Sequence, residues 1–105
     1  MLTFIPEVRS LIKTLRDNGF QIIAGSDGVE MFQFDKMGRT DFLESITGAD
    51  EGFMWVRYNE DTYNLYLVYG NEPGEVVCDY SSAPELDQVM DTHYEKWQNR
   101  KQPTI

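Results

Sequence analysis

Cys78 and His93 are the single cysteine and single histidine of the chain, the one pairing that could supply a thiol nucleophile and its base. Such a nucleophile needs a depressed thiol pKa and a proton acceptor beside it. The local pattern puts neither residue in that setting. Cys78 falls in a strand-like run on the side of Leu67 and Tyr69, and His93 falls on the apolar stripe of a helix. A packed thiol and a hydrogen-bonded core histidine are expected instead. Zinc sites take clusters of such ligands, and one of each makes no cluster. Asp50, Glu51, Glu60 and Asp61 could draw a cation, but their spacing is not that of an EF-hand loop. Gly25-Ser26-Asp27-Gly28 reads as a hairpin turn, not a phosphate loop, because no helix opens after it. Asp87 and Asp91 stand one helical turn apart on an exposed face. Nothing gives any carboxylate pair the contrasting surroundings that hydrolysis requires. The expectation is a non-enzymatic protein with no catalytic, cofactor-binding or metal-binding residues.

Charge narrows the partners. The chain has 18 acids and 9 bases, a formal net charge of −9. Thr40 to Glu95 holds 13 acids and a single base, Arg57. The bases gather on the first helix (Arg9, Lys13, Arg16), in one turn (Lys36, Arg39) and near the C-terminus (Lys96, Arg100, Lys101). Nucleic-acid binding ordinarily rests on a basic stripe that neutralises phosphates, and anionic membranes attract the same feature. Neither direct nucleic-acid binding nor membrane binding is expected. Acidity of this kind steers a protein toward a basic partner, or mimics DNA phosphates before a basic nucleic-acid-binding protein. It also serves plain solubility.

The elements that would position these residues can be read from periodicity. Phe4, Val8, Leu11, Ile12 and Leu15 recur at helical spacing, with Thr3 as N-cap, Pro6 in the first turn and Gly19 as the left-handed end. Phe20–Ala24 and Val29–Phe34 read as a hairpin through Ser26-Asp27-Gly28, pairing Ile22 with Phe32 and Phe20 with Phe34. Thr40 is the natural cap of a short helix that stops at Gly48. Phe53–Tyr58 and Thr62–Tyr69 form a second hairpin with its turn at Glu60-Asp61, which sets Tyr58 opposite Tyr63, Val56 opposite Leu65 and Met54 opposite Leu67. Glu72-Pro73-Gly74-Glu75 carries a type II turn signature before a last strand, Glu75–Tyr80. Ser82-Ala83-Pro84-Glu85 reads as a capping box opening a helix with Leu86, Val89, Met90, His93 and Trp97 on its stripe.

The second face of that sheet is the informative one. It carries Ile23, Val29, Met31, Phe53, Trp55, Arg57, Tyr66, Val68, Val77 and Asp79, with Trp55 across from Tyr66. An uncovered sheet face ordinarily alternates to polar residues. Aromatic, Met and Arg residues together have the composition of a protein interface. Phe53, Trp55, Arg57, Tyr66, Val68 and Met31 are therefore the candidate partner-binding residues. The competing expectation is that Phe42, Leu43 and Ile46 of the short helix fold over this face and bury it.

These pieces make one domain, residues 1–105, of α+β class. The expected architecture is a two-layer sandwich: a mainly antiparallel five-stranded sheet with two long helices on one face, in the order α-β-β-α-β-β-β-α. With 41% hydrophobic residues the chain can build a core, and one cysteine allows no intrachain disulfide. No apolar run is long enough to span a bilayer, and Met1 to Pro6 lacks the pattern of a secretory signal. A reducing cytoplasm is the expected location.

The segment Glu75-Val76-Val77-Cys78-Asp79-Tyr80-Ser81, with Leu86 and Trp97 on the closing helix, resembles short acidic accessory proteins carried by prophages and plasmids of enteric bacteria. The likeness covers the last third of the chain. It implies a cytoplasmic accessory protein that acts by binding a host factor or itself, and it transfers no functional residue. In architecture the chain is also similar to type III secretion chaperones, which dimerise and bind an unfolded effector segment. Those place three strands before the middle helix, whereas two are read here. The expected function is a small acidic protein–protein interaction module, its partner another protein or a second copy.

Overall fold

The structure is a computed structural model that describes residues 4–69 and 76–101. Helix α1 (Phe4–Asp17) is followed by strands β1 (Gln21–Ser26) and β2 (Met31–Gln33), a 3-10 turn (Phe34–Lys36) and helix α2 (Arg39–Ile46). Strands β3 (Glu51–Tyr58), β4 (Asp61–Val68) and β5 (Val77–Tyr80) come next, and helix α3 (Pro84–Lys101) closes the chain. All neighbouring strands are antiparallel, in the order β2-β1-β3-β4-β5. The α+β architecture is the one expected from the sequence, with the 3-10 turn added.

α1 forms because Val8, Leu11, Ile12 and Leu15 make one apolar stripe, and all four are buried. Gly19 ends it at φ +89°, where a side chain would be strained. The Phe20 N–H then reaches back to the Leu15 carbonyl at 2.9 Å, closing the last turn. Thr3 and the Glu72–Glu75 turn lie outside the described residues.

Both hairpins pair differently from the sequence reading. In β3–β4 the register is Met54 with Leu65 and Val56 with Tyr63, and the turn is Asn59-Glu60. Asn59 takes φ +56°, the positive φ that tight hairpin turns demand, and asparagine accepts it more readily than Glu60 or Asp61. The shift is two residues, so each side chain keeps its face. The β1–β2 shift is three residues: Gly25 pairs with Phe32 and Ser26 with Met31. The longer loop is held by Asp27, whose Oδ1 accepts the N–H groups of Val29 and Glu30, both at 2.9 Å. A bulge between Ile22 and Ala24 shifts the β1–β3 pairing by one residue, so that Ile22 and Gly25 both face the core.

The helix caps also differ. Gly38, not Thr40, precedes α2, with no side-chain cap bond. The predicted capping box does not form at α3. The Asp87 N–H bonds to the Ala83 carbonyl at 2.8 Å, so the first turn starts from Ala83. Glu85 instead accepts the Tyr63 hydroxyl at 2.8 Å.

α2 lies on the same side of the sheet as α1 and α3. Two glycines make room for it. A Cβ on Gly25 would sit 2.5 Å from Ile46 Cγ2 and 2.8 Å from Phe42 Cζ. A Cβ on Gly52 would meet the Tyr69 hydroxyl and, at 2.7 Å, the Ile46 carbonyl. Phe42, Leu43 and Ile46 thus join Met54, Val56, Leu65, Leu67, Leu86 and Val89 in one core. The expectation that the short helix covers the second face is overturned by this close approach.

Candidate functional site

Strand alternation and the observed register assign the outer face row by row. One row crosses the whole sheet: Met31, Ser26, Phe53, Tyr66 and Asp79. The next holds Gln33, Ala24, Trp55 and Asn64. Flanking rows place Gln21, Arg57 and Thr62 at one end and Glu51 and Val68 at the other. All six candidate residues, Met31, Phe53, Trp55, Arg57, Tyr66 and Val68, therefore share one face. Among the described residues no helix lies over it. Ile23 falls at the bulge, Val29 lies in the β1–β2 loop and Val77 pairs with Leu67 beside the core, so these three leave the predicted set.

The centre of the face is aromatic. Phe53 and Tyr66 stack with ring centroids 5.1 Å apart and planes inclined by 23°. Phe53 and Trp55 follow at 6.4 Å. Phe53 rather than Trp55 is thus the neighbour of Tyr66, a consequence of the β3–β4 register. The Tyr66 hydroxyl donates to Glu51 Oε2 at 2.8 Å. That hydrogen bond, then desolvation, raises the Tyr66 pKa above the ordinary tyrosine value. Phe53, Trp55, Tyr66 and Val68 are half-buried, Arg57 is exposed and Met31 is 62% exposed. Arg57 makes no ion pair among the described residues. A platform of this kind offers an apolar contact with one cation, Arg57, and two anions, Glu51 and Asp79, at its edges.

The Cys78–His93 pairing is not assembled. Cys78 is exposed on edge strand β5, where a bulge between the Tyr66 and Leu67 pairings turns it away from the predicted core side. The physical reason is that the extra residue of a bulge breaks the in–out alternation. His93 is 2% exposed, and its Nε2 lies 2.9 Å from Glu7 Oε2. It is the hydrogen-bonded core histidine of the sequence reading, with a partner that reading missed. A signal was available: Glu7 stands four and eight residues before Leu11 and Leu15, on the buried stripe.

The dispersed bases also converge. Arg9, Lys13, Arg16, Arg39 and Lys96 line a groove of about 830 Å³ between α1, the start of α2 and α3, floored by Ile12, Leu43 and Trp97. Lys13 is tied to Asp17 at 2.7 Å, Lys96 donates to Ser10 at 3.1 Å, and Arg16 lies over the Phe34 ring at 5.6 Å. Cations thus gather on the helical side of an acidic protein. Among the described residues no group of three or more metal-ligating side chains comes together. No described helix is long and apolar enough to cross a membrane.

Compared with protein-family models, curated proteins and solved structures, the chain matches none.

Proposed function

We propose that this protein is a non-enzymatic protein–protein interaction module that works through the outer face of its sheet. The observation that carries the reading is the Phe53–Tyr66 stack with Trp55 beside it, on a face that none of the described helices covers. Half-buried aromatic residues flanked by an arginine are the usual anchors of protein contacts. Cytoplasmic location and a role as an accessory protein of mobile elements accord with this reading; the first rests on the sequence expectation of a reducing compartment, the second on the sequence resemblance.

A photo-crosslinking amino acid placed in living cells at Asn64, between the aromatics and the edge of the face, tests it. Placement at Glu95, on the exposed side of α3, is the control. Protein adducts from position 64 that outnumber those from 95 and vanish on Trp55→Ser support the module. Equal yields from both positions, or none from 64, overturn it.

A further inference from the structure

We infer that the outer face is built to receive a second copy of this chain, around a two-fold axis that crosses β3 at right angles. The inference rests on the interaction reading above and names its partner.

β3 is the central strand, and its outward residues are Glu51, Phe53, Trp55 and Arg57. Those four are symmetric about Met54: an anion and a cation at the ends, an aromatic residue on each side of the middle. A two-fold axis perpendicular to the strand at Met54 exchanges the positions 51 and 57, and 53 and 55. When two such faces stack, Glu51 of one copy meets Arg57 of the other at both ends. Phe53 and Trp55 interleave in the centre. This is the self-complementary contact that a two-fold interface requires. Glu51 and Arg57 stand about 20 Å apart along the strand. A face-to-face twist near 30° moves the ends by only a few ångströms, within the reach of an arginine.

The neighbouring strands obey the same operator. Tyr66 is level with Phe53 and comes over Asn64, which is level with Trp55. Val68 comes over Thr62. Asp79, on the row of Tyr66, comes over the end of β5 beyond Tyr80 and not over its own copy. The alternative axis, parallel to β3, sets Glu51 on Glu51 and Arg57 on Arg57. Like charges in contact disfavour that arrangement. Tyr66 holds one oxygen of Glu51, Oε2, which fixes the carboxylate and leaves the other for the incoming guanidinium. Strands of three to eight residues offer a face of roughly 450 Å². Two such faces bury about 900 Å² before side-chain relief, which brings the contact to about the lower bound for a specific interface.

Light scattering on a sizing column at two protein concentrations tests the inference on the full chain. The expected wild-type mass is twice 12.2 kDa. Arg57→Glu and Glu51→Arg each create two like-charge contacts and weaken the dimer on the order of a hundredfold. The double swap, Glu51→Arg with Arg57→Glu, restores it, and an equimolar mixture of the two single variants forms the heterodimer. Circular dichroism of each variant confirms folding, since both side chains are exposed. A monomer at every concentration overturns the inference; adducts to another protein from position 64 then leave the interaction module standing, and their absence removes both. A dimer indifferent to the single swaps overturns the two-fold geometry. So does a mass that climbs past the dimer, the mark of a head-to-tail contact between the outer face and the basic groove.

Discussion

The imidazole of His93, on the last helix, meets the carboxylate of Glu7, on the first, at 2.9 Å with both side chains almost wholly out of water. The same Glu7 oxygen accepts the Val76 N–H at 3.3 Å, so one carboxylate ties α1, α3 and the approach to β5 together. His93 Nδ1 has no hydrogen-bond partner among the described residues. Glu7→Ala should therefore destabilise the fold by about 1–3 kcal/mol for the orphaned polar groups, beyond the lost packing. Replacing both residues with leucine should recover most of that loss, because an apolar pair needs no partner. Urea unfolding of Glu7→Leu, His93→Leu and the double leucine variant gives the coupling; additive losses would show that the pair is not a unit.

Gly25 faces the side chains of Phe42 and Ile46 with no room for a methyl group. Gly25→Ala should push α2 off the sheet and cost about 1–3 kcal/mol. Gly28→Ala is the contrast. Its Cβ would meet nothing within 4 Å, but its φ of +95° strains any side chain. Thermal melts of the two, with hydrogen exchange along Arg39–Ile46, separate the mechanisms. Faster exchange in α2 belongs to the Gly25 variant alone.

Tyr63 holds its proton against alkali. Its hydroxyl donates to Glu85, and that bond, then desolvation, then the carboxylate's charge push its pKa up to about 12. Unfolded tyrosine titrates near pH ~10. The folded state therefore binds the proton more tightly, and stability falls as pH rises through that window. Absorbance at 295 nm should show one tyrosine titrating near 12 that disappears in Tyr63→Phe. A wild type and a Tyr63→Phe variant with the same stability loss from pH 10 to 12 would refute the assignment.

Asp27 works at the other end of the pH scale. The backbone N–H groups of Glu30 and Val29 hold its carboxylate below the ordinary range. The folded pKa is depressed, so the loop gains stability above the unfolded value and loses it as the carboxyl protonates, from about pH 4 downward. Asp27→Asn keeps an acceptor and should abolish that acid-dependent part while lowering the melting temperature less than Asp27→Ala. Melting curves from pH 6 to pH 3 provide the check.

Legibility followed what each signal depends on. α1 was readable because four buried residues repeat at helical spacing and a glycine ends them. The outer face survived an incorrect β3–β4 register because a slip of two residues preserves sides. The β1–β2 register was lost because Asp27 lengthens the loop through its own backbone hydrogen bonds, and the bulge at Ile23 then offsets the error. Cys78 was misassigned because a bulge has no pattern of its own in sequence. Gly25 and Gly52, each inside a strand, did carry a signal of close backbone approach. What they approach, α2, depends on tertiary packing. Glu7 lies on the stripe, but periodicity cannot show its partner, because His93 is 86 residues away in sequence.

The sheet ends in short strands on both sides: three residues in β2, which runs straight into a 3-10 turn, and four in β5, which is bulged. Ladders that brief give an incoming strand few backbone groups to join, the usual defence against sideways polymerisation. Growth by strand addition is closed off at both margins, and stacking on the broad side remains. A chain so arranged can pair without seeding a fibre.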